Sequence, residues 1–418
     1  MSAREPGPPH AAAELVARES YGRLLAYLAV RWHDVAAAQD VLSDAFAAAL
    51  ESWPRTGVPA KPEAWLLTVA RRKLIDEARG QAVRRRDDLH ERLFDATISS
   101  AGLDERAVDD RLRLMLVCAH PAIDAAVRPA LILQTVLGLE VRQMAGAFLL
   151  SPDTLNKRLV RAKAKIKASG MRFEEPEAED VGPRLHDLLE AIYAAYFIGR
   201  EDALVHGDAG DQLGDEAIYL ADVVAALLPD NAEAIGFRAL LLFCDARRPA
   251  QIDAAGEFVP LLEQDPRRWD AEQLGTAYQL LGRAAALRAG GPFQLEAAIQ
   301  GAHCYRGRSG TVPWQEIASL YASLVAAQPT VGAMVGMAVA MVHAGEEPSR
   351  AAEILRAIDP SLVRGYQPYW VAMSHVLEKT GHAHEAATCL ERALGLTTHP
   401  RLQRYLRRRL AAVRSGDV

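Results

Sequence analysis

The stretch WLLTVARRKLID occupies residues 65–76 and decides how the N-terminal part of this sequence folds. Its aromatic and aliphatic residues recur at helical spacing, which predicts a helix that packs one apolar face. Three consecutive cations, Arg71, Arg72 and Lys73, follow in its second half. We therefore predict a helix from Pro62 to about Gly80 that ends in positive charge.

The same helical spacing continues on both sides of this stretch. Helices are predicted near residues 14–31 and 35–53, and the proline-containing segment 54–62 separates them from the next helix. Alternating runs of Val, Ile, Thr and Tyr bounded by turn residues are almost absent, so strands are not expected. The sequence predicts an all-α protein.

The length of the chain, 418 residues, is too great for one compact core. A polar stretch at residues 87–100 is a predicted linker, and an acidic, proline-containing stretch at residues 174–180 is a predicted hinge. These breaks predict three domains, residues 13–86, 104–173 and 183–413.

The composition excludes a wholly disordered chain, since half of the residues are apolar and 24% are charged. The longest nearly uncharged run, residues 331–342, is far shorter than the roughly 20 residues that span a bilayer. No signal peptide is evident, and the four widely spaced cysteines form neither a disulfide framework nor a zinc module. We expect a cytoplasmic protein with no membrane partner, no metal and no cofactor.

The net charge of −6 conceals a strong asymmetry. Residues 71–86 carry a net charge of +5 and residues 152–172 carry +6, so the remainder carries −17. Two basic segments in an acidic chain indicate local contacts with a polyanion, although two solvated helix faces would give the same pattern.

A helix-turn-helix is predicted within the second basic segment. Residues 141–148 form a short apolar helix, residues 149–150 a turn, and Ser151 caps the next helix, which starts with Pro152. Its apolar residues step inward, and a polar and basic set faces outward: Asn156, Lys157, Arg158, Arg161 and Lys165. Such a helix can enter the major groove of DNA, whereas an ordinary helical hairpin with a solvated basic face is the alternative.

The order of these segments resembles the extracytoplasmic-function (ECF) branch of the sigma-70 family of bacterial RNA polymerase sigma factors. The acidic motif of that family is similar to AQDVLSDAF at residues 38–46, and its W-L-x-x-x-A-R-x-x-x-x-D motif matches Trp65 to Asp76. The −35 reader of the family resembles residues 141–167.

The resemblance implies two partners, core RNA polymerase and promoter DNA. It implies polymerase contacts from Gln39, Asp40 and Asp44. It implies −35 contacts from the outward set on the second helix of the helix-turn-helix. It implies −10 contacts from a third set: Trp65, Arg71, Arg72, Lys73, Asp76 and Arg79. Arg72 stands where many members carry Asn, and an Arg there can stack on a base or hold phosphate.

The C-terminal region, residues 183–413, shows self-similarity near a 34-residue period that resembles tetratricopeptide (TPR) repeats. The clearest unit begins at Gln367 and carries Trp370, Gly381, Ala386 and Leu390 at the expected spacing. A solenoid of this kind offers a concave surface for a protein or peptide partner. No catalytic set emerges within it, and we expect no enzymatic activity.

The sequence therefore predicts a sigma factor that recognises −35 and −10 elements, with a C-terminal helical domain that regulates its activity. We expect that domain to be needed for activity rather than to inhibit it. Two alternatives remain: a helix-turn-helix regulator with a sensory or protein-binding TPR module, and a TPR scaffold without a DNA role. Neither alternative requires the motifs of residues 38–76.

Overall fold

Helices account for nearly all of the regular structure in this protein. The computed structural model describes residues 8–32, 35–81, 103–169, 178–206 and 212–415. Within these ranges there is no strand, and a single isolated bridge joins Ile252 to Phe258. The prediction of an all-α fold is confirmed.

The first block consists of three helices, α1 (Pro8–Trp32), α2 (Val35–Thr56) and α3 (Pro62–Gln81). The predicted bounds of α3 agree with the structure to within one residue, because Pro62 favours a helix start. The three helices enclose fully buried side chains that include Leu28, Trp53 and Leu66. Burial of each such side chain contributes about 1.5–3 kcal/mol.

The second block follows with α4 (Leu103–Cys118), a 3-10 turn (Ala125–Val127), α5 (Arg128–Val136), α6 (Val141–Met144) and α7 (Pro152–Ser169). Helix α1 of the first block packs against α4 and α5. Gly22 lies at this contact, where a Cβ would overlap the carbonyl oxygen of Val136. The two blocks are thus in direct contact.

The predicted hinge at residues 174–180 is partly helical. Helix α8 (Ala178–His206) already includes Glu179 and Asp180, while residues 174–177 and the predicted linker at 87–100 lie outside the described residues. Pro183 is the sixth residue of this helix, so its missing N–H removes one intrahelical hydrogen bond, the one to the carbonyl of Glu179. The chain divides within α8 into two compact units, Met1–Ala191 and Ile192–Val418.

The second unit continues as a series of helices. They are α9 (Gln212–Leu227), α10 (Ala232–Asp245), α11 (Ala271–Ala286), α12 (Pro292–Cys304), α13 (Arg306–Ser309), α14 (Trp314–Ala327), α15 (Val331–His343), α16 (Pro348–Ala357), α17 (Pro360–Val363), α18 (Gln367–Lys379), α19 (Ala383–Leu396) and α20 (Pro400–Ser415). Short 3-10 turns at Arg248–Ala250, Leu261–Glu263 and Pro266–Arg268 lie between α10 and α11.

Two glycines with positive φ connect paired helices in this unit. Gly345 (φ 86°) follows α15 and Gly381 (φ 79°) follows α18, and each adopts a left-handed conformation that favours glycine. The helices on either side of each turn pack together, α15 with α16 and α18 with α19. Ala386 and Leu390 are buried in the second pair. These hairpins fit the predicted helical units, and the TPR identity stays a prediction.

Candidate functional site

Helix α3 buries one side and exposes cations on the other. Leu66, Ala70 and Leu74 are buried, and Trp65 packs edge-on against Trp53 with ring centroids 5.6 Å apart. Arg72 is exposed, while Arg71 and Lys73 are half-buried. Two further predicted −10 residues, Asp76 and Arg79, belong to α3, but their side chains lie outside the described part of the structure.

Helix α2 presents the predicted polymerase-binding residues beside α3. Asp40 and Asp44 are exposed, and Gln39 is half-buried. The Nζ of Lys73 donates to Asp44 Oδ2 at 2.6 Å. The structure therefore joins a predicted polymerase contact to a predicted −10 contact, a pairing across 29 residues that helical spacing alone could not reveal.

Tyr21 of α1 lies against the same part of α2. Its ring stacks on Phe46 with centroids 6.2 Å apart. Burial raises the pKa of the Tyr21 phenol, while a hydrogen bond with Ser43 opposes the shift and Asp40 adds to it. The neutral phenol of Tyr21 thus packs against the acidic face of α2, a contact that sequence reasoning missed.

Helix α7 has the capped start and the two faces that were predicted. The backbone N–H of Thr154 donates to Ser151 Oγ at 3.3 Å, which confirms the cap. Leu155, Leu159 and Ala162 are buried. Among the predicted −35 residues, Arg158 is half-buried and four are exposed: Asn156, Lys157, Arg161 and Lys165.

The helix before α7 is shorter than the sequence predicted. Helix α6 spans one turn, with a capping box between Glu140 and Gln143, and residues 145–149 form turns rather than helix. Leu149 has a φ of 53°, which ends any helical continuation before Ser151. The apolar residues that indicated a longer helix are used instead for packing, since Met144 and Ala145 are buried.

Lys163 lies on the half-buried side of α7, apart from the outward set. Burial lowers the pKa of its ammonium, and Cys118 and Asp40 oppose that shift. Burial also raises the pKa of the Cys118 thiol to about 12. The cation of Lys163 therefore lies within electrostatic range of an acid of α2, so each predicted polymerase-binding Asp has a cation from another helix nearby.

Helix α8 is tied to the second block by buried polar contacts. Arg128 Nη1 donates to Asp187 Oδ2 at 2.9 Å, and these side chains are only 14% and 10% exposed. Arg184 Nη1 donates to the backbone carbonyl of Leu116 at 3.2 Å. Both contacts join residues more than 50 positions apart, and no local sequence signal predicts them.

Comparison with known proteins assigns the first block. Residues 17–84 match the family model of sigma-70 region 2. An uncharacterized protein, R00370, of Rhizobium meliloti (strain 1021) is 35% identical over 399 residues, which covers 94% of this chain and 92% of that protein. Residues 17–84 of the chain thus belong to the sigma-70 family, as its region 2. Region 2 of this family implies binding to core RNA polymerase and to promoter DNA in transcription initiation.

A second family model matches residues 184–285 of the chain, and its description is a family of unknown function (DUF6596). The match begins in α8 and ends in α11. In the described ranges, no three His, Cys, Asp or Glu side chains are grouped to hold a metal ion. Over the same ranges, no helix combines the length and apolar character required to cross a bilayer.

Proposed function

We propose that this protein is an ECF-type sigma factor that directs promoter-specific initiation by core RNA polymerase. The observation that carries the proposal is the region 2 match, whose α2 and α3 lie side by side with exposed acids on one helix and cations on the other. Its role is binding rather than catalysis: it captures promoter DNA and delivers it to the polymerase.

Helix α3 is proposed to read the −10 element. Its cations suit the phosphates of melted DNA, and Trp65 offers a ring beside them. Because Lys73 is half-buried and bound to Asp44, Arg72 is the more available cation for a base or a phosphate.

Helix α7 is proposed to read the −35 element. Its outward set follows a capped start, as in a recognition helix whose N-terminal residues contact base edges. Arg can hold a guanine by two hydrogen bonds and Asn can do so with adenine, whereas Lys165, farther along the helix, suits a phosphate.

The C-terminal extension is proposed to support the −35 reader. Arg128 is nearly buried, and its partner Asp187 belongs to α8, beyond the residues that the sequence assigned to the second block. Removal of one member of a buried pair leaves an uncompensated charge. Extension residues thus stabilise the block that contains α7, which supports a requirement for the extension rather than autoinhibition.

Promoter-specific transcription in vitro tests the proposal. The full chain is mixed with core polymerase from its own source and with promoter fragments, and run-off transcripts are measured. We expect co-purification with core enzyme and transcripts that require the protein. Sequence-specific DNA binding without any affinity for core enzyme would instead support a helix-turn-helix regulator with a protein-binding module.

A further inference from the structure

Arg247 is a charged side chain in the interior of the second unit. It lies in the turn directly after α10 and is 8% exposed. Its Nη2 lies 3.7 Å from Cys244 Sγ, and its buried Nη1 has no hydrogen-bond partner. Asp245, a neighbour in sequence, is engaged elsewhere, since it accepts from Arg200 at 2.6 Å. Within the described ranges, no carboxylate pairs with Arg247.

The groups around Arg247 do not supply the missing negative charge. Burial raises the pKa of the Cys244 thiol to about 11 and also raises the pKa of Cys304, so both thiols are protonated near neutral pH. The C-terminal end of α10 contributes only a fraction of a charge. An isolated charge in a protein interior is strongly disfavoured unless it is paired. The guanidinium therefore requires an anionic partner from outside this cluster.

A second unsatisfied polar atom lies near the first. The Nδ1 of His303 is buried without a hydrogen-bond partner. Burial, reinforced by Arg247, lowers the pKa of this imidazole to about 4, so the ring is neutral and can donate or accept one hydrogen bond. His303 and Tyr321, which is also within electrostatic range of Arg247, are half-buried, so the cluster is not sealed from solvent.

We propose that Arg247 anchors a binding site for the carboxylate of a monoanionic ligand that has an aromatic body. The guanidinium fork matches the two oxygens of a carboxylate. One unpaired cation matches one negative charge, which favours a monocarboxylate over a dianionic phosphate. Tyr321, which is half-buried and within electrostatic range of the guanidinium, supplies a ring for the body of the ligand.

Two sources can present this carboxylate, a free small acid or the C-terminal carboxylate of a partner polypeptide. Isothermal titration calorimetry on the full chain distinguishes them. The probes are phenylacetate, its neutral analogue phenylacetamide, inorganic phosphate, and a tetrapeptide ending in Phe with either a free or an amidated C-terminus. If phenylacetate binds tightly and neither peptide does, the ligand is a small acid. If the peptide with a free C-terminus binds more tightly than phenylacetate, the ligand is a polypeptide terminus.

The substitution Arg247→Met tests the anchor. We expect it to weaken binding of the preferred carboxylate by about 10- to 100-fold, the loss that accompanies a charge-assisted hydrogen bond. Without ligand, we expect its melting temperature to equal or exceed that of the wild type, because an uncompensated buried charge has been removed. A purely structural arginine would give a lower melting temperature.

Arg248→Met is the matched control, since the next residue is a more exposed arginine near Asp245, and its carboxylate affinity should stay unchanged. The proposal is overturned if phosphate or phenylacetamide binds as well as phenylacetate. It is equally overturned if no carboxylate probe binds, or if Arg247→Met retains wild-type affinity. The result is independent of the sigma-factor proposal, because neither polymerase nor DNA takes part.

Discussion

Gly22 is a residue whose lack of a side chain allows α1 and α5 to approach each other closely. A Cβ at this position would overlap a backbone oxygen of α5, and a backbone atom cannot move aside as a flexible side chain can. The close approach of α1 to α5 thus depends on a single missing methyl group.

Gly22→Ala is therefore expected to destabilise the first unit by about 1–3 kcal/mol, the usual cost of overpacking. Thermal and urea unfolding of the full chain would measure the loss. The matched control is Gly182→Ala in α8, where a Cβ meets open space and alanine is favoured by about 0.5–1 kcal/mol in a helix. Equal stability of the two variants would mean that α1 and α5 do not meet as described.

Arg161 is the residue that best separates base recognition from phosphate binding. It is exposed on α7, so its removal should leave folding unchanged. If Arg161 reads a base, Arg161→Ala should weaken DNA binding by about 1–3 kcal/mol and relax preference at one position. If it holds phosphate, the affinity for all DNA sequences falls alike and the salt dependence of binding becomes shallower. Binding titrations across a promoter library at two salt concentrations distinguish the cases, and an unchanged profile would exclude α7 as the reader.

At the scale of elements, the acidic face of α2 is the surface on which polymerase binding is proposed to depend. Replacing Asp40 and Asp44 together by Lys should abolish co-purification with core polymerase, because both carboxylates are exposed, while the helical circular dichroism should persist. The control is Glu51→Lys, which makes the same kind of charge reversal at one exposed site on the same helix. Retained binding by the double variant would remove α2 from the interface.

A ladder of rings links four helices of the second unit. Trp314 of α14 stacks on His343 of α15 at 4.2 Å, His343 stacks on His375 of α18 at 4.9 Å, and His303 of α12 meets Trp314 edge-on. Burial lowers the pKa of His375 to about 4, and His343, Lys379 and Arg409 lower it further. The ladder favours neutral imidazoles.

This ladder makes stability sensitive to acid. A histidine whose folded pKa lies below its unfolded value of 6.5 contributes stability that is complete above about pH 6.5 and lost as the pH falls toward 4. His375→Phe keeps a ring but cannot titrate, so its loss of stability between pH 7 and 5 should be smaller than that of the wild type by about 1–2 kcal/mol. Urea unfolding at both pH values measures this difference, and His384→Phe, at an exposed site, should match the wild type. Parallel acid losses in wild type and His375→Phe would contradict the assignment.

At the scale of the whole molecule, the chain divides into two compact units within α8, after the predicted hinge at residues 174–180. Residues of α8 up to Ala191 belong to the first unit. The helix nevertheless continues without interruption into the second unit. Any truncation at the hinge therefore removes part of the first unit's interior.

The effect of truncation on transcription should accordingly depend on whether α8 is kept. A chain that ends at Phe173 is expected to lose promoter-specific transcription. In the full chain, Asp187→Ala should cost about 3–5 kcal/mol, because the nearly buried Arg128 keeps two backbone carbonyl acceptors but loses its counter-charge. The control is His186→Ala at the exposed neighbour of Asp187, which should change the free energy of unfolding little. A second truncation after His206 keeps all of α8 and separates its contribution from that of the helices that follow it. Full activity of the chain ending at Phe173 would refute a role for the extension in cis.

The sequence by itself determined the all-α class, the approximate bounds of α2 and α3, and the two faces of α7, whereas α1 begins at Pro8 rather than near residue 14. These features follow from local rules, since helical spacing, Pro62 and the Ser151 cap act within a few residues of each other. The same local reasoning failed between α6 and α7, where tertiary packing of Met144 and the left-handed Leu149 ended the helix early.

Only the tertiary structure decided which distant residues meet. The pairing of Lys73 with Asp44, the contact of Gly22 with α5 and the attachment of α8 by Asp187 join positions 29 to 114 residues apart. The unpaired guanidinium of Arg247 is visible only once its surroundings are known. Residues so far apart leave no periodic signal in the sequence, because their contact depends on how whole helices pack rather than on the propensities of neighbouring residues.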